Sequence, residues 1–378
     1  MRKVLFLITG LDYAGAEAQV VQLASAFCRW GDTVRLVSLV EPVAYLDELA
    51  AMGVTVMNLG MRRGVPDPRA ILRLRNMIRS YQPDVVHSHM VHANLLARVT
   101  RLCVPIPVLV CTAHSIWEGG RVRTWLYRLT DPLCDVMTNV SQEAVNRYIQ
   151  IKASRADKIR YMPNGIDVEK FTSIDRDTAR SELQEELGLQ DSFIWFAAGR
   201  LAPEKDYTTM LRAFVQVRKE QEKVVLLIAG VGPEEAELKE LCHMFELDGH
   251  VHFLGVRKGI PKLMRAANAY VMSSKWEGLP MVLLESSASS LPIVATEVGG
   301  NAEVVRDRVN GYLAQPSNPS SLVAGMLRMM EHTDGELSEM GRQGMEWISL
   351  HYGIEAIARQ WGELYDAAAK FKQLSTRA

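Results

Sequence analysis

The sequence predicts an α/β fold built from two doubly wound, Rossmann-like domains. Three observations lead to this prediction. Short apolar runs alternate with helical patterns along the whole chain, as parallel sheets covered by helices require. With 378 residues, the chain is too long for one ordinary core. A polar stretch, Phe171–Asp177, separates one series of apolar runs from the next, and we interpret it as a linker.

The first series predicts a domain over residues 1–170. Helical patterns such as Ala16–Arg29 and Pro68–Tyr81 lie between its apolar runs. The opening run is too short for a signal peptide and leads into a glycine turn, so we interpret it as a buried strand. The candidate strands are Val4–Ile8, Thr33–Val40, Val54–Leu59, Asp84–His87, Val108–Ala113, Asp135–Val140 and Ile159–Met162.

The second series predicts a domain over residues 171–352. From Pro319 the pattern is mainly helical, and residues 353–378 hold a last helix within Ile354–Phe371. Ligands of doubly wound sheets bind outside the carboxyl ends of the strands. We therefore expect them in a central cleft that both domains face. The candidate strands are Phe193–Ala198, Val224–Ala229, Val251–Leu254, Ala269–Ser273, Ile293–Ala295 and Gly311–Ala314.

Composition and charge restrict the function classes. With 48% apolar and 23% charged residues the chain is globular rather than disordered. Residues 1–170 hold 21 Lys and Arg against 15 Asp and Glu, a net charge of +6, and the remainder holds 22 against 29, a net of −7. The basic half lacks an aromatic-interleaved nucleic-acid motif, so we expect no nucleic-acid partner. Five scattered cysteines without a C-x-x-C pair indicate reduced thiols and a cytoplasmic protein.

Two carboxylates, Glu277 and Glu285, lie eight positions apart in S-S-K-W-E-G-L-P-M-V-L-L-E. Glu277 falls in the loop after an apolar run, and Glu285 falls within the following helix, where a proline suits the first turn. Backbone N–H groups at a helix N-terminus favour an anion. This loop therefore offers hydrogen-bond acceptors for hydroxyl groups beside hydrogen-bond donors for phosphate. That combination suits a nucleotide-sugar. The helix N-terminus consists of Gly278, Leu279, Pro280 and Met281.

This element resembles the E-x7-E signature of the retaining glycosyltransferases of family 4, which have the GT-B fold. The G-G-x-x-E turn of that family follows here at residues 299–303. The resemblance covers nearly the whole chain. It implies an N-terminal acceptor-binding domain, a C-terminal nucleotide-sugar-binding domain and a last helix that packs back on the first domain. We expect neither a cofactor nor a metal.

A second group of candidates opens the C-terminal domain in A-G-R-L-A-P-E-K-D. Gly199 and Arg200 come where a buried strand ends. Arg200 can hold phosphate through its planar fork, and Lys205 offers a compact charge. Both would stabilise a diphosphate leaving group, which is the role that the resemblance implies. The resemblance also places the base of the donor against the backbone of Val256 and Arg257. An ordinary solvated helix start is the alternative for the Arg200 segment.

Two candidates lie in the first half of the chain. Gly15 follows the first strand in T-G-L-D-Y-A-G-A-E, where the family usually has Gly-Gly-x-Glu, and it lets the backbone approach a ligand. A plain tight turn is the alternative. His114, in T-A-H-S-I-W-E, matches a family histidine that lies near the 6-position of the transferred sugar. The turn Asn164–Asp167 is another family hallmark, and we assign it a structural or cleft-lining role.

The sequence H-S-H-M-V-H invites a metal interpretation. His87 and His89 alternate on one strand face and His92 lies beyond the turn, but no Cys or carboxylate completes a ligand set. We therefore expect these histidines to line the acceptor cleft. The D-x-D segment at Asp175–Asp177 falls in the linker and does not support a metal–diphosphate site.

Basic residues suggest an anionic membrane surface as a partner. The segment R-V-R-T-W-L-Y-R joins arginines to aromatic and aliphatic side chains, which suits an anionic interface. Solvated helix faces explain the same pattern equally well. The basic positions are Arg62, Arg63, Arg69, Arg73, Arg75, Arg79, Arg98, Arg101, Arg121, Arg123 and Arg128.

Together these features predict a retaining, metal-independent hexosyltransferase. The resemblance implies that Glu285 accepts hydrogen bonds from the ribose, that Glu277 holds hydroxyls of the donor sugar, and that the donor is a UDP-sugar. The expected acceptor is a glycan, either polyprenyl-linked or at the cell surface. Two alternatives stay open. One is a nucleotide-sugar epimerase of the same fold, and the other is a catalytically silent scaffold of a polysaccharide-assembly complex.

Overall fold

The computed structural model describes residues 1–189 and 191–375. These residues form two units. Unit 1 comprises Met1–Gly165 together with the C-terminal segment from Ile354, and unit 2 comprises Ile166–Gly353. The division after Gly165 lies a few residues before the linker that the sequence predicts. Each candidate strand of the sequence has a counterpart in the structure, and the α/β prediction is confirmed.

Unit 1 is built on a seven-stranded parallel sheet in the order β3-β2-β1-β4-β5-β6-β7. Its strand order reverses between β1 and β4. The strands are β1 Lys3–Ile8, β2 Thr33–Ser38, β3 Thr55–Asn58, β4 Val85–His89, β5 Val108–Ala113, β6 Val136–Asn139 and β7 Ile159–Tyr161. The helices between them are α1 Gly15–Arg29, α2 Leu46–Ala51, α3 Arg69–Tyr81, α4 Val91–Thr100, α5 Arg121–Thr130 and α6 Gln142–Gln150.

Unit 2 has a six-stranded parallel sheet in the order β10-β9-β8-β11-β12-β13, which reverses between β8 and β11. The strands are β8 Phe193–Ala198, β9 Val224–Ala229, β10 Val251–Gly255, β11 Ala269–Met272, β12 Ile293–Thr296 and β13 Gly311–Ala314. The helices are α7 Glu169–Thr172, α8 Arg176–Leu187, α9 Tyr207–Glu220, α10 Glu235–Met244, α11 Ile260–Ala266, α12 Met281–Ala288, α13 Asn301–Val304, α14 Pro319–Met330 and α15 Asp334–Tyr352.

The last helix, α16 Ile354–Ser375, belongs to unit 1. Its Trp361 and Tyr365 are buried in the core that Phe6 of β1 and Phe27 of α1 also form. Near the start of the helix Glu355 forms an ion pair with Arg29 of α1, with 2.6 Å between the charged atoms. Apolar packing and this ion pair therefore hold α16 against the core of unit 1, although the helix comes from the other end of the chain.

The strands β1, β8 and β9 are apolar along nearly their whole length, because helices cover both faces of a doubly wound sheet. The run F-I-W-F-A-A of β8 is one example, and five of its six residues are buried. No helix in the described part of the chain is long and apolar enough to cross a membrane.

Candidate active site

The loops that carry most of the predicted donor residues meet at one edge of the unit 2 sheet. Gly199 and Arg200 follow β8, Gly230 follows β9, Val256 follows β10, and Glu277 follows β11. Because all six strands are parallel, their carboxyl ends share this edge. The strand order reverses between β8 and β11, so the loops after these two strands flank the position where doubly wound sheets bind ligands.

The two loops at this reversal are joined by an ion pair. Lys205 Nζ lies 2.5 Å from Glu277 Oε1, and both side chains are mostly buried. Ser274 Oγ donates a second hydrogen bond to the same oxygen, at 2.7 Å. A parallel connection lies beside it, since Lys275 Nζ is 3.2 Å from Asp206 Oδ1. The Glu277 carboxylate is thus held in place beside the positive charge of Lys205.

Arg200 is an uncommitted cation at this edge. Its side chain is exposed, and its guanidinium has no hydrogen bond or ion pair to residues 1–189 or 191–375. The turn after β9 packs tightly against the Gly199 backbone next to Arg200. A Cβ on Gly230 (φ +134°) would lie only 2.0 Å from the Gly199 carbonyl oxygen. This contact requires glycine at position 230. A free guanidinium on a tightly packed turn can bind a phosphate with little reorganisation.

Helix α12 begins at Met281, with Pro280 as its N-cap residue rather than in its first turn as the sequence predicts. Gly278, Leu279 and Pro280 are all buried. The backbone N–H of Gly300 donates to the Gly278 carbonyl at 2.6 Å, which ties the loop to the Gly-Gly turn after β12. The N-terminus of α12 therefore lies in a fixed loop at the carboxyl edge of the sheet.

Glu285 lies one turn into α12 and is half-buried. No residue in the described part of the chain forms a hydrogen bond or ion pair with its carboxyl group. Burial raises the pKa of this carboxyl from 4.5 to about 7. A carboxylate without a partner among the described residues, and partly removed from water, is suited to accept hydrogen bonds from ligand hydroxyls.

The loop after β10 is exposed. Val256 and Arg257 are both exposed, and the Arg257 guanidinium donates to Glu186 Oε1 of α8 at 2.8 Å. The Arg257 side chain is therefore engaged within unit 2, and the backbone of the two residues is what remains for a base.

In unit 1, Gly15 is the first residue of α1 and is exposed. Two residues on, Glu17 is buried, and this burial raises its pKa to about 7. Asp12 of the preceding turn forms an ion pair with Arg63. The N-terminus of α1 is accessible, as an anion-binding helix end must be.

His114 follows β5 and is held by two polar contacts. Its Nε2 lies 2.9 Å from His89 Nδ1, and its backbone N–H donates to Glu118 Oε1 at 3.2 Å. Tyr127 Oη donates to the other oxygen of Glu118 at 2.6 Å. Burial lowers the pKa of His114 to about 4, so its imidazole is neutral at physiological pH.

The prediction that the H-S-H-M-V-H histidines line a cleft is wrong for His87 and His89. Both are fully buried, and His87 bonds Tyr365 Oη at 2.7 Å and Thr112 Oγ1 at 2.6 Å. They lie on the central strand β4, where α16 covers one face. His92 is exposed. In the described residues no three His, Cys, Asp or Glu side chains are grouped so as to hold a metal.

The predicted basic surface is largely committed to internal contacts. Arg98 is fully buried, and its guanidinium donates to the Tyr127 carbonyl at 3.1 Å. Arg101 pairs with Asp135 at 2.8 Å. Helix α5 differs, because three apolar side chains are exposed on it between exposed arginines. They are Val122, Trp125 and Leu129, exposed by 72%, 57% and 60%.

Three residues of these clusters escaped the sequence analysis: Ser274, His89 as a partner of His114, and Glu118. Only the position of Ser274, three residues before Glu277, offers a local signal. The contacts of His89 and Glu118 join chain segments whose proximity depends on strand order.

Known glycosyltransferases are similar in sequence to both units of the chain. Residues 179–347 match the family described as glycosyl transferases group 1, and residues 13–170 match Glycosyltransferase Family 4. The UDP-Gal:α-D-GlcNAc-diphosphoundecaprenol α-1,3-galactosyltransferase of Escherichia coli is 26% identical over 281 residues, which is 71% of either chain. The GDP-mannose-dependent α-(1-6)-phosphatidylinositol monomannoside mannosyltransferase of Mycobacterium tuberculosis is 26% identical over 83% of this chain and 84% of its own.

Solved structures are similar over almost the full length. HepE of Anabaena, in complex with UDP and glucose, superimposes with a TM-score of 0.86 at 19% identity. The match covers 97% of this chain and all of HepE. The sucrose-phosphate synthase of Thermosynechococcus elongatus gives 0.81 at 19% identity, over the full length of both chains. At this level of identity the likeness establishes the fold.

Proposed function

Since this chain belongs to the GT-B glycosyltransferases related to family 4, we propose that it transfers a hexose, with retention at the anomeric carbon, from a UDP-sugar to a glycan acceptor. The observation that carries the proposal is the group at the β8–β11 reversal in unit 2. There a fixed carboxylate, Glu277, lies beside the Lys205 ammonium. The Arg200 guanidinium, which has no partner among the described residues, follows the same strand as Lys205. These groups match the hydroxyls and the diphosphate of a nucleotide-sugar.

The diphosphate binds to positive charge and backbone N–H groups. Arg200 binds one phosphate through its planar guanidinium, and Lys205 supplies a point charge. The N-terminus of α12 at Gly278–Met281 contributes backbone N–H groups from its residues other than Pro280. Gly199 allows the close approach of this loop. As the glycosidic bond breaks, negative charge grows on the leaving diphosphate, and these groups stabilise it more than they stabilise the ground state.

The two glutamates hold the ends of the donor. Glu277 accepts hydrogen bonds from sugar hydroxyls, and Glu285 accepts them from the ribose. The exposed backbone of Val256 and Arg257 contacts the base. Within unit 1, Gly15 offers a helix N-terminus that suits a phosphate, and the neutral imidazole of His114 can form a hydrogen bond with a sugar hydroxyl.

Retention follows from attack on the same face from which the diphosphate departs. The leaving phosphate then accepts the proton of the acceptor hydroxyl, so neither glutamate acts as a nucleophile. Catalysis in this proposal comes from alignment and charge stabilisation. Arg200 and Lys205 supply the positive charge on which departure of the diphosphate depends, in place of a metal ion.

Names of the relatives favour a lipid-linked acceptor. The Escherichia coli enzyme acts on a diphosphoundecaprenol-linked sugar, and the Mycobacterium tuberculosis enzyme acts on a phosphatidylinositol mannoside. Helix α5 supports peripheral binding at an anionic membrane, because its exposed Trp125 and Leu129 alternate with Arg121 and Arg128.

Vesicle flotation tests the membrane part of the proposal. We expect the wild type to float with vesicles of phosphatidylglycerol and not with phosphatidylcholine, and Trp125→Glu to lose most of this binding. Leu350→Glu is the matched control, since Leu350 is a similarly exposed apolar side chain on α15 of unit 2. Binding that is independent of anionic lipid, or equal in the two variants, would remove the membrane hypothesis.

A panel of donors tests the function itself. Nucleoside diphosphate release is measured with UDP-glucose, UDP-galactose, GDP-mannose and ADP-glucose, with an added polyprenyl-diphosphate-linked sugar as acceptor. We expect one UDP-sugar to be turned over fastest, and NMR to show an α-linked product from its α-configured donor. An inverted product would contradict retention, and no release with any donor would contradict the function.

A further inference from the structure

Ser274 lies between β11 and α12 and contacts the carboxylate that the proposed function assigns to the donor sugar. Its side chain is fully buried, and its Oγ donates to Glu277 Oε1 at 2.7 Å. Lys205 Nζ reaches the same oxygen at 2.5 Å. Two donors therefore converge on Oε1. The other oxygen, Oε2, has no hydrogen-bond partner in the described part of the chain.

Backbone contacts from neighbouring strands fix Ser274. Thr296 Oγ1, at the end of β12, donates to the Ser274 carbonyl at 2.7 Å. The preceding Ser273 donates through Oγ to the carbonyls of Lys205 and Asp206, each at 2.9 Å. The Ser274 hydroxyl is therefore in place before a ligand arrives. A carboxylate held by such a donor loses little further freedom on binding.

Lys205 cannot fix Glu277 alone if it also binds the diphosphate. Its ammonium carries three N–H donors on a flexible stem, and its position shifts toward whichever anion is present. Ser274 has no such second anion in reach, because its Oγ is fully buried. The serine holds Oε1 from a fixed position, while the ammonium, with three N–H donors, can keep one on Oε1 and offer another to phosphate.

We infer that Ser274 is a positioning residue for the donor sugar, which together with Lys205 occupies Glu277 Oε1 so that Oε2 alone accepts one sugar hydroxyl. The inference rests on the proposed function. Glu277 then recognises a single hydroxyl with a defined direction, rather than bridging two neighbouring hydroxyls with both oxygens. This gives Ser274 a part in donor-sugar specificity although it does not touch the donor.

The test compares Ser274→Ala with Ser287→Ala, using the UDP-sugar that the wild type turns over fastest. Ser287 is a matched control, since it is a buried serine of α12 whose hydroxyl has no hydrogen-bond partner in the part of the chain that the structure describes. Loss of a hydrogen bond to a charged group lowers kcat/KM of Ser274→Ala by about tenfold or more. The Kd of UDP, which lacks the sugar, stays within about twofold, as a defect confined to sugar positioning requires. Ser287→Ala behaves as the wild type.

Deoxy derivatives of the same UDP-sugar give the readout that a merely structural role would not produce. For the wild type, removal of the sugar hydroxyl that donates a hydrogen bond to Glu277 lowers kcat/KM about tenfold. For Ser274→Ala, removal of the same hydroxyl lowers kcat/KM much less. If Ser274→Ala is poorly folded by circular dichroism, Ser274→Cys replaces it. Its weaker donor predicts an intermediate loss.

Wild-type turnover by Ser274→Ala, or equal deoxy penalties in the two proteins, overturns the inference and leaves the proposed function standing. Absence of turnover in the wild type with every donor contradicts the proposed function, and the inference with it.

Discussion

Glu285 shows at the scale of one residue how position creates chemistry. An ordinary glutamate in the first turns of a helix would be ionised and solvated. Here burial raises its pKa to about 7, and no described residue pairs with it. In the folded protein the carboxyl is therefore half-protonated near pH 7, and the burial of its charge costs stability as the pH rises from 4.5 through 7. Such a cost is characteristic of a site whose partner is a ligand.

This shift predicts a pH dependence for nucleotide binding. The ionised carboxylate is the better acceptor for ribose hydroxyls, so the affinity for UDP rises between about pH 6 and pH 8. Glu285→Gln has no titrating group at this position, and we expect it to bind UDP about tenfold more weakly at pH 8 with little change across the range. Titration calorimetry measures both. A wild-type Kd that is constant over the range would contradict the assigned role of Glu285.

The sequence predicts those site residues whose positions follow from a local pattern. It does not predict those whose positions depend on long-range contacts. The E-x7-E spacing predicts that Glu277 lies in a loop and Glu285 in a helix, because both follow from neighbouring residues. The pairing of Lys205 with Glu277 spans 72 positions and depends on β8 lying beside β11. The cleft prediction for His87 is wrong because of another long-range contact, since Tyr365, which bonds His87, comes from α16.

At the scale of the element, the loop before α12 is fixed by its close packing against the Gly-Gly turn after β12. Gly299 has a left-handed backbone with φ +56°, and a Cβ there would lie 2.5 Å from the Glu277 carbonyl oxygen. Glycine at position 299 permits both the left-handed turn and the close approach of this turn to the Glu277 backbone. The sequence signature G-G-x-x-E thus has a physical basis in the position of Glu277.

Gly299→Ala tests this coupling against Gly249→Ala. Gly249 also has a left-handed backbone, with φ +78°, but its Cβ would meet no atom within 4 Å. Left-handed strain costs both variants about 1 kcal/mol of unfolding free energy in urea titrations. The clash with the Glu277 carbonyl adds a further cost in Gly299→Ala alone. Only Gly299→Ala displaces Glu277, and we expect it to lose about a hundredfold in turnover of the preferred UDP-sugar. Equal turnover in the two variants would separate Gly299 from the site.

At the scale of the whole molecule, the sequence predicted the fold class because hydrophobic periodicity is a property of every strand and helix. Each apolar run that the sequence predicts as a strand has a matching strand in the structure, with boundaries that differ by a few residues. The order of the strands cannot be seen in such runs, since it depends on which segments pack together. The last helix illustrates the difference: its pattern predicts a helix, whereas its place on the unit 1 core comes from Trp361 and Tyr365.

Removing one anchor of that helix tests its contribution to unit 1. Trp361 is 2% exposed, and Trp361→Ala is expected to lower the free energy of unfolding of unit 1 by about 3–5 kcal/mol. Hydrogen exchange would show the loss in β1 and β4. Leu374→Ala on the same helix is the control, since Leu374 is 69% exposed and its truncation changes stability by less than about 0.5 kcal/mol. Unchanged exchange in Trp361→Ala would contradict a structural role for α16.

The central claim is that Glu277 and the cations beside it bind a nucleotide-sugar for transfer. The most direct measurement is sugar transfer to a polyprenyl-diphosphate-linked acceptor by the wild type, Glu277→Ala and Glu240→Ala, with the preferred UDP-sugar as donor. Glu240 is an exposed glutamate of α10, remote in sequence from the predicted donor residues, and serves as control. We predict that Glu277→Ala loses at least about a hundredfold in kcat, while Glu240→Ala transfers at the wild-type rate. Unchanged transfer by Glu277→Ala would contradict the assignment of the site.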